Sequence, residues 1–555
     1  MKKRVLLFLA TVVFSLTLAA QIKVEWGSPD VRYSANVADV KSCAPVASAV
    51  AWRGERVNLQ LVVTANIKGD SAQVQYEFSD LKCGKAIIPA SNVVGGFVLP
   101  VITDKFTGCG RHAVDAHGEN LVADRIVPDN PLVFATGNSQ CGLWLTVQVP
   151  QDAKPGKYKG RVTVKTGSVT RKANYTVTVL DRTLPAPKDW KFHLDLWQNP
   201  YAVVRVHNVE LWSEAHFTAL RPYMLKLATA GQKAITATLI DRPWDGQTYD
   251  PFGSMVTWVR KADGNWWYDF TIFDRWVQFM MDCGIDKEIT CFSMIPWKLS
   301  FRYYDQATHS HKYINCAPGD EAYTQFWGGM LEAFSAHLKE MGWLEKTFIS
   351  MDERSLPQMQ SAIKVIKEYA PGLKISMAGN YHPEIEPDIY DYCLDIFAYG
   401  AYTKELVELR RSQGKVSTYY TCCSAEYPNL FTFSAPADAE FIALEALAKG
   451  LDGYLRWAYN SWTVTPEEDS RFTAWPAGDT YVVYPFSISS VRWERLVQGI
   501  QQFEKYYILL AQAQAAGDTA RVKELAELLK TVDIKKISTD SETIVNGFRA
   551  GLNRM

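Results

Sequence analysis

The sequence of 555 residues has no excess of charge of either sign, because 59 Lys and Arg residues stand against 60 Asp and Glu residues. This balance excludes a chain-wide field of the kind that holds nucleic acid or an anionic membrane. The sequence also contains no GxGxxG turn between a strand and a helix and no Walker A motif. Both absences argue against a nucleotide-binding protein.

Metal-ligand patterns are missing as well. The ten cysteines include no CxxC pair, and the nine histidines include no HExxH motif. His309 and His311 are two residues apart, but they lie in a polar segment where solvated side chains are expected. The sequence therefore predicts neither a bound metal nor a cofactor.

The first twenty residues differ from the rest of the chain. Lys2, Lys3 and Arg4 precede an apolar run over residues 5–20 that ends in two alanines. This pattern predicts a secretory signal peptide over residues 1–20, with a membrane anchor as the alternative. We therefore expect an exported protein, periplasmic or secreted, that has no membrane span after removal of the signal.

An exported protein can form disulfides. The adjacent Cys422 and Cys423 suit neither a zinc site nor an ordinary bridge between neighbours. The candidate pairs in the N-terminal region are Cys43 with Cys83 and Cys109 with Cys141.

Residues 21–187 have the pattern of a β domain. Short alternating or β-branched runs are separated by Gly, Asn, Asp and Pro, which is typical of a β-sandwich. The LPAP stretch at residues 184–187 predicts a stiff, extended boundary. We expect the scattered Trp26, Trp52 and Trp144 to fill the core of this domain.

After residue 188, strand-like apolar segments alternate with amphipathic helices. Eight such units predict a (β/α)8 TIM barrel over residues 188–515, with a doubly wound open sheet as the alternative. Residues 516–555 predict a C-terminal helical extension. The predicted barrel strands cover residues 192–197, 235–241, 289–295, 347–352, 374–380, 393–399, 415–421 and 453–460.

Two adjacent carboxylates, Asp352 and Glu353, end the fourth predicted strand. Functional residues of such barrels lie at the carboxyl ends of the strands and in the loops that follow. Neighbouring carboxylates raise each other's pKa, which can keep one of them protonated near neutral pH. The structural alternative is a helix N-cap pair with Arg354 as a surface partner. We expect Asp352 and Glu353 to be catalytic.

Aromatic and polar side chains follow most of the other predicted strands, and aromatic residues make up 13% of the chain. Sugar rings stack on tryptophan, and their hydroxyls bind Asp, Asn, Arg and His. Together with a carboxylate pair, these residues indicate glycoside hydrolysis. The predicted substrate-binding residues at strand ends are His193, Asp195, Trp197, Trp244, Trp297, Asn380, Tyr399, Arg456, Trp457, Asn460 and Trp462.

Two mechanisms are open for these residues. In the conventional retaining scheme, two carboxylates about 5–5.5 Å apart act as nucleophile and acid/base, and Glu353 with Glu426 could form this pair. In the substrate-assisted scheme, the 2-acetamido carbonyl of the sugar attacks C1 while one carboxylate holds the acetamido N–H and its neighbour protonates the leaving oxygen. The adjacent Asp352 and Glu353 suit this second scheme because both would serve one side of a single sugar.

Several segments of the sequence resemble glycoside hydrolase family 123. They are the Asp352-Glu353 pair and residues 450–462 (GLDGYLRWAYNSW), 477–485 and 490–499 (SVRWERLVQG). The resemblance implies an exo-acting, retaining β-N-acetylgalactosaminidase in which Asp352 orients the acetamido group and Glu353 is the acid/base. It also implies that Asn380 and Tyr399 hold the acetamido carbonyl, and it adds Asp479 to the substrate-binding candidates.

We therefore expect an enzyme that removes terminal β-linked N-acetylgalactosamine from glycans such as glycosphingolipid chains. The alternative from a different class is a surface glycan-binding protein whose active site has decayed. The intact Asp352-Glu353 pair argues against that alternative.

Overall fold

The computed structural model describes residues 21–33 and 46–555. The predicted signal peptide and Cys43 lie outside these ranges. Within them, every helix is too short or too polar to cross a membrane.

The N-terminal part of the chain is built almost entirely of strands. The long strand β3 pairs with β8 over most of its length and with β9 near its end. It therefore connects the strands β2, β10 and β9 to the strands β8, β6 and β7. The strands, in chain order, are β1 Gln21–Gly27, β2 Ala47–Arg53, β3 Arg56–Phe78, β4 Leu81–Cys83, β5 Ala86–Ile88, β6 Val93–Thr103, β7 Asn120–Val127, β8 Leu132–Gln148, β9 Gly156–Thr166 and β10 Val169–Thr183.

Strand β9 shows how the sequence builds this region. Tyr158, Val162 and Val164 are buried, whereas the intervening Lys159 and Arg161 are exposed. A strand directs successive side chains to opposite faces, so this alternation gives one apolar face and one solvated face. The predicted mostly-β character of the N-terminal region is confirmed.

Eight parallel strands form a second sheet that curls into an almost closed barrel. The ends meet where the backbone N–H of Lys233 donates to the carbonyl of Leu194 at 2.9 Å. Each strand overlaps one of the eight predicted segments. They are β11 His193–Leu196, β12 Ala234–Thr238, β15 Glu288–Phe292, β18 Thr347–Met351, β19 Lys374–Gly379, β20 Asp391–Asp395, β21 Val416–Tyr420 and β22 Gly453–Arg456.

The remaining strands belong to two additions. A four-stranded sheet is inserted around β15 and consists of β13 Thr257–Arg260, β14 Trp266–Asp269, β16 Ser300–Asp305 and β17 Ser310–Asn315. The short β23, Ser489–Ser490, pairs with β7 of the N-terminal sheet.

Helices alternate with the barrel strands and then continue to the end of the described chain. They are α1 Pro200–His207, α2 Glu214–Ala228, α3 Thr271–Asp282, α4 Glu321–Glu340, α5 Leu356–Tyr369, α6 Lys404–Ser412, α7 Pro436–Ala448, α8 Val491–Ala515, α9 Thr519–Leu529 and α10 Ile537–Arg554. The predicted order of strands and helices after residue 188 is therefore confirmed, whereas the exact domain limits stay predictions.

Helix α8 attaches the barrel to the N-terminal strands through buried ion pairs. An unpaired buried charge is costly, so separating the two regions would leave these charges with fewer partners. The pairs are Arg492 with Asp124 at 2.9 Å, Arg495 with Asp30, Lys505 with Glu55, and Glu494 with Arg56.

The predicted bridge between Cys109 and Cys141 is wrong, and the predicted bridge between Cys43 and Cys83 falls partly outside the described residues. Cys109, in the loop between β6 and β7, is bonded to Cys423, which follows β21, with the two Cα atoms 5.1 Å apart. Cys141 is a free, buried thiol within β8. Sequence spacing could not reveal a bridge whose ends lie 314 residues apart in two different regions.

Candidate active site

A cavity of about 700 Å³ opens at the carboxyl ends of the barrel strands. Side chains from the loops after several strands and from one N-terminal loop line it. They include Cys109, Arg111, Trp197, Trp244, Asp245, Gln247, Trp297, Asp352, Glu353, Asp395, Tyr420, Cys422, Cys423, Trp457 and Trp475.

Asp352, which follows β18, is partly buried in this cavity with a hydrogen-bond donor on each oxygen. The indole N–H of Trp244 donates to Oδ2 at 2.9 Å, and the backbone N–H of Glu353 donates to Oδ1 at 3.0 Å. Burial and the neighbouring Glu353 carboxylate raise the pKa of Asp352 to about 7, despite the two donors. The carboxylate is therefore held in one orientation.

Glu353 is more exposed than Asp352. The Tyr420 hydroxyl, at the end of β21, donates to its Oε1. Burial, and then the Glu353 carboxylate, raise the pKa of the Tyr420 phenol well above its usual value, so the phenol remains a donor. At the end of β19, a Cβ on Gly379 would lie 3.2 Å from the Glu353 Cα, so a larger residue there would press against the backbone that carries Glu353.

Asp395 is a further carboxylate on the cavity lining that was not predicted from the sequence. It is the last residue of β20, and its pKa is raised by burial and by the Glu353 carboxylate. The predicted strand ran to residue 399, four residues too far, and so placed Tyr399 at the cavity. Tyr399 instead donates to Glu445 of α7 at 2.7 Å.

Two buried tryptophans stand behind the carboxylate pair. Trp197 and Trp244 are stacked with ring centroids 4.9 Å apart. The indole N–H of Trp197 donates to Oδ2 of Asp195 at 3.2 Å. Asp195 therefore lies one layer below the cavity and supports a residue that lines it.

Three half-buried tryptophans present more surface to the cavity. The indole N–H groups of Trp297 and Trp475 donate to the side-chain and main-chain oxygens of Gln247, each at 2.8 Å. Trp457 meets Trp475 edge to face at 5.7 Å between centroids. The Arg354 guanidinium covers one face of Trp297 at 3.8 Å. Trp475 and Gln247 were missed because they follow no predicted strand end closely.

Four of the twelve predicted substrate-binding residues line the cavity, namely Trp197, Trp244, Trp297 and Trp457. Leu455 of β22 and Trp457, which directly follows the strand, line the cavity, whereas the intervening Arg456 is directed away from it. Arg456 pairs with Asp479 at 2.6 Å, with both side chains fully buried.

The other predicted residues have structural contacts away from the cavity. Asn460 exchanges two hydrogen bonds of 2.9 Å with the backbone of Asn199, and Trp462 is buried against Tyr223. Asn380 is exposed, and its backbone carbonyl accepts a hydrogen bond from the Tyr392 hydroxyl at 2.7 Å.

His193 lies at the opposite, amino end of the barrel strands. Its Nε2 is 3.3 Å from Oδ2 of Asp391 and 3.6 Å from Oε2 of Glu288. Burial lowers the pKa of His193, but these two carboxylates outweigh that effect and raise the pKa to about 10. His193 therefore belongs to a buried ionic cluster at the amino end of the barrel.

Comparisons with known proteins agree with this geometry. The family model "Glycoside hydrolase 123, catalytic domain" matches residues 197–509, and "Glycoside hydrolase 123 N-terminal domain" matches residues 26–166. No curated protein matches the chain.

Among solved structures, a family 123 glycoside hydrolase from Clostridium perfringens is similar, with a TM-score of 0.88 and 24% identity over 96% of this chain and 98% of that chain. Beta-glucuronidase 3 from Bacteroides uniformis gives a TM-score of only 0.29 at 9% identity, over 87% of this chain and 52% of that chain, and supports no inference.

The catalytic-domain match shows a glycoside hydrolase, and a carboxylate pair in an aromatic-walled cavity at the end of a parallel barrel fits this class. Because that match covers more than half of the sequence, the chain belongs to glycoside hydrolase family 123.

Proposed function

We propose that this enzyme removes terminal β-linked N-acetylgalactosamine from glycans by substrate-assisted catalysis. The 2-acetamido carbonyl oxygen attacks C1 as the C1–O bond to the leaving group breaks, and Glu353 protonates the departing oxygen. Asp352 accepts the acetamido N–H and stabilises the oxazolinium ion. Water then adds to C1 and gives its proton to Glu353. This step opens the oxazolinium ring and leaves C1 with its original configuration.

The observation that carries this proposal is the pairing of Asp352 and Glu353 in one cavity. Asp352 is fixed by Trp244 and by the backbone of Glu353, and Glu353 is held by Tyr420. Two fixed, adjacent carboxylates suit one group on the acetamido nitrogen and one on the leaving oxygen. Attack from a well-oriented internal nucleophile can be worth about 7–11 kcal/mol.

Further parts of the proposal concern substrate and setting. The Clostridium perfringens protein is described as acting in glycolipid glycan hydrolysis, which supports a glycan or glycolipid substrate here. The Cys109–Cys423 disulfide supports export to the periplasm or the medium. We also infer that the N-terminal domain is a β-sandwich and that the barrel is of the TIM type.

The conventional retaining mechanism remains the second candidate, with a changed partner. Glu426, the partner expected from the sequence, is exposed and does not line the cavity. Asp395 does line it and interacts electrostatically with Glu353. If the sugar had no acetamido nucleophile, Asp395 would therefore be a better placed second carboxylate than Glu426.

Hydrolysis of an aryl β-N-acetylgalactosaminide tests the proposal. We expect turnover, and inhibition by a thiazoline analogue of the acetamido sugar. If the enzyme hydrolyses an aryl glycoside that lacks the acetamido group but not the acetamido sugar, the proposal is wrong. The matching gluco substrate, which differs only at C4, measures the preference for the galacto configuration.

Four variants separate the roles of the carboxylates. Glu353→Gln should lower kcat by about 10²–10⁴-fold on a poor leaving group, and much less on a dinitrophenyl glycoside, which needs no acid. Glu426→Gln is the matched control and should retain most activity. If Asp395→Asn removes more activity than Asp352→Asn, the conventional mechanism is favoured.

A further inference from the structure

The N-terminal region contributes a wall of the catalytic cavity through the loop at residues 104–119, between β6 and β7. The disulfide described above attaches this loop to the segment after β21. The backbone N–H groups of Gly110 and His112 donate to the carbonyls of Ala474 and Thr473, at 3.2 and 2.8 Å. The loop is therefore fastened to two separate loops of the barrel.

The same loop has a small core of its own. The Phe106 ring packs against His112 and His117, with centroids 4.0 and 4.6 Å apart. Oδ1 of the buried Asp104 accepts the backbone N–H of Phe106 at 3.0 Å. These contacts give the loop a fixed shape, so a side chain that it places on the cavity is held in a constant position.

Arg111 is the basic side chain that this loop brings to the cavity. Every other charged residue on the described lining is a carboxylate. Of these, Asp245 already pairs with Lys298 at 2.9 Å. Arg111 is exposed and forms no ion pair with any of the described residues. Its charge is therefore available to a ligand.

We propose that Arg111 forms an outer subsite that binds an anionic group, a carboxylate or a sulfate, on the sugar next to the one that is removed. A cavity of about 700 Å³ is larger than one monosaccharide needs. The guanidinium presents a planar fork of N–H donors that matches a carboxylate or sulfate. The inference rests on the proposed function in that the terminal sugar occupies the end of the cavity beside Asp352 and Glu353.

Calorimetric titration of the Glu353→Gln enzyme, in which hydrolysis of the probe is strongly slowed, tests this subsite. The probes are a neutral disaccharide with β-N-acetylgalactosamine on galactose, the same disaccharide sulfated on the galactose, and the same disaccharide with a carboxylated sugar on the galactose. We expect at least one anionic probe to bind about tenfold more tightly than the neutral one. The two anionic arms show whether a sulfate or a carboxylate is preferred.

Adding Arg111→Gln should abolish the preference for the anionic probe. Lys105→Gln is the matched control, because Lys105 is an exposed cation of the same loop that does not line the cavity, and it should leave the preference intact. The double variant Cys109→Ser with Cys423→Ser should weaken the preference by loosening the wall. Equal binding of all three probes, no binding of the anionic probes, or a preference that survives Arg111→Gln overturns the inference.

Turnover of the aryl glycoside by the unsubstituted enzyme is measured in parallel. If the aryl glycoside is not hydrolysed but the anionic probe still binds more tightly through Arg111, only the proposed function is contradicted. Turnover without any anion preference removes the outer subsite only.

Discussion

Trp244 donates its indole N–H to Oδ2 of Asp352 at 2.9 Å, and this bond joins the loop after β12 to the end of β18. The bond places a neutral donor against the Asp352 carboxylate. The pKa of this carboxylate is raised to about 7 by burial and by Glu353. In the proposed mechanism Asp352 must be ionised to accept the acetamido N–H. The bond therefore favours the working form of the residue and fixes its direction.

Replacing Trp244 with phenylalanine keeps a ring and removes this donor. Because a hydrogen bond to the ionised form lowers a pKa, we expect the pKa of Asp352 to rise further above about 7. The acidic limb of the kcat/KM profile should shift to higher pH by about one unit. Trp297→Phe is the control, since its indole N–H is bonded to Gln247 instead. An acidic limb that does not move in Trp244→Phe contradicts the assignment.

Asp352→Asn should lower the activity of the enzyme and raise its stability. The folded-state pKa of about 7 lies above the ordinary value of 3.8, so ionisation destabilises the fold. The cost is absent below about pH 4 and grows as the pH rises to about 7. Allowing for partial exposure, we expect the variant to gain about 1–2 kcal/mol in the free energy of unfolding at pH 8, and nothing at pH 4.

Urea titrations of the Asp352→Asn variant at the two pH values measure this difference. A stability gain that is equal at both pH values would point to packing rather than charge. On the aryl acetamido substrate, kcat should fall by about 10²–10³-fold, because a neutral amide stabilises the oxazolinium cation poorly.

Tyr420→Phe should slow the chemical step by removing the hydroxyl that holds Glu353. We expect kcat to fall about 10–100-fold with little change in KM. The neighbouring Tyr419→Phe is the control, because the Tyr419 hydroxyl faces away and donates to the Ile442 carbonyl at 2.8 Å. Steady-state kinetics of both variants measures the contrast, and equal losses would remove Tyr420 from its assigned role.

Asp479→Asn should destabilise the protein by about 3–5 kcal/mol, because it leaves the fully buried Arg456 without its counter-charge. Glu214→Gln is the control, since it breaks the exposed pair with Arg275, and such surface pairs contribute about 0–1 kcal/mol. Urea unfolding of both variants gives the comparison. A small loss in Asp479→Asn would show that Arg456 finds another partner.

The sequence was sufficient to locate the barrel and its carboxylate pair, because apolar periodicity and strand-end position are local properties. Prediction from the sequence failed where a shift of one residue along a strand changes the direction of a side chain. Arg456 and Trp457 are adjacent, yet only Trp457 lines the cavity. An error of four residues at the end of β20 exchanged Asp395 for Tyr399. Arg111 could not be found, since its place depends on a contact between distant segments.

The bridge between Cys109 and Cys423 turns the 314 intervening steps of the chain into a covalent ring that passes through both domains. The predicted domain boundary at residues 184–187 lies inside this ring. A protease cut there would open the ring without separating the two pieces. The nicked protein should run as one band on a non-reducing gel and as two bands after reduction, so this boundary is not a point at which the N-terminal domain can be shed.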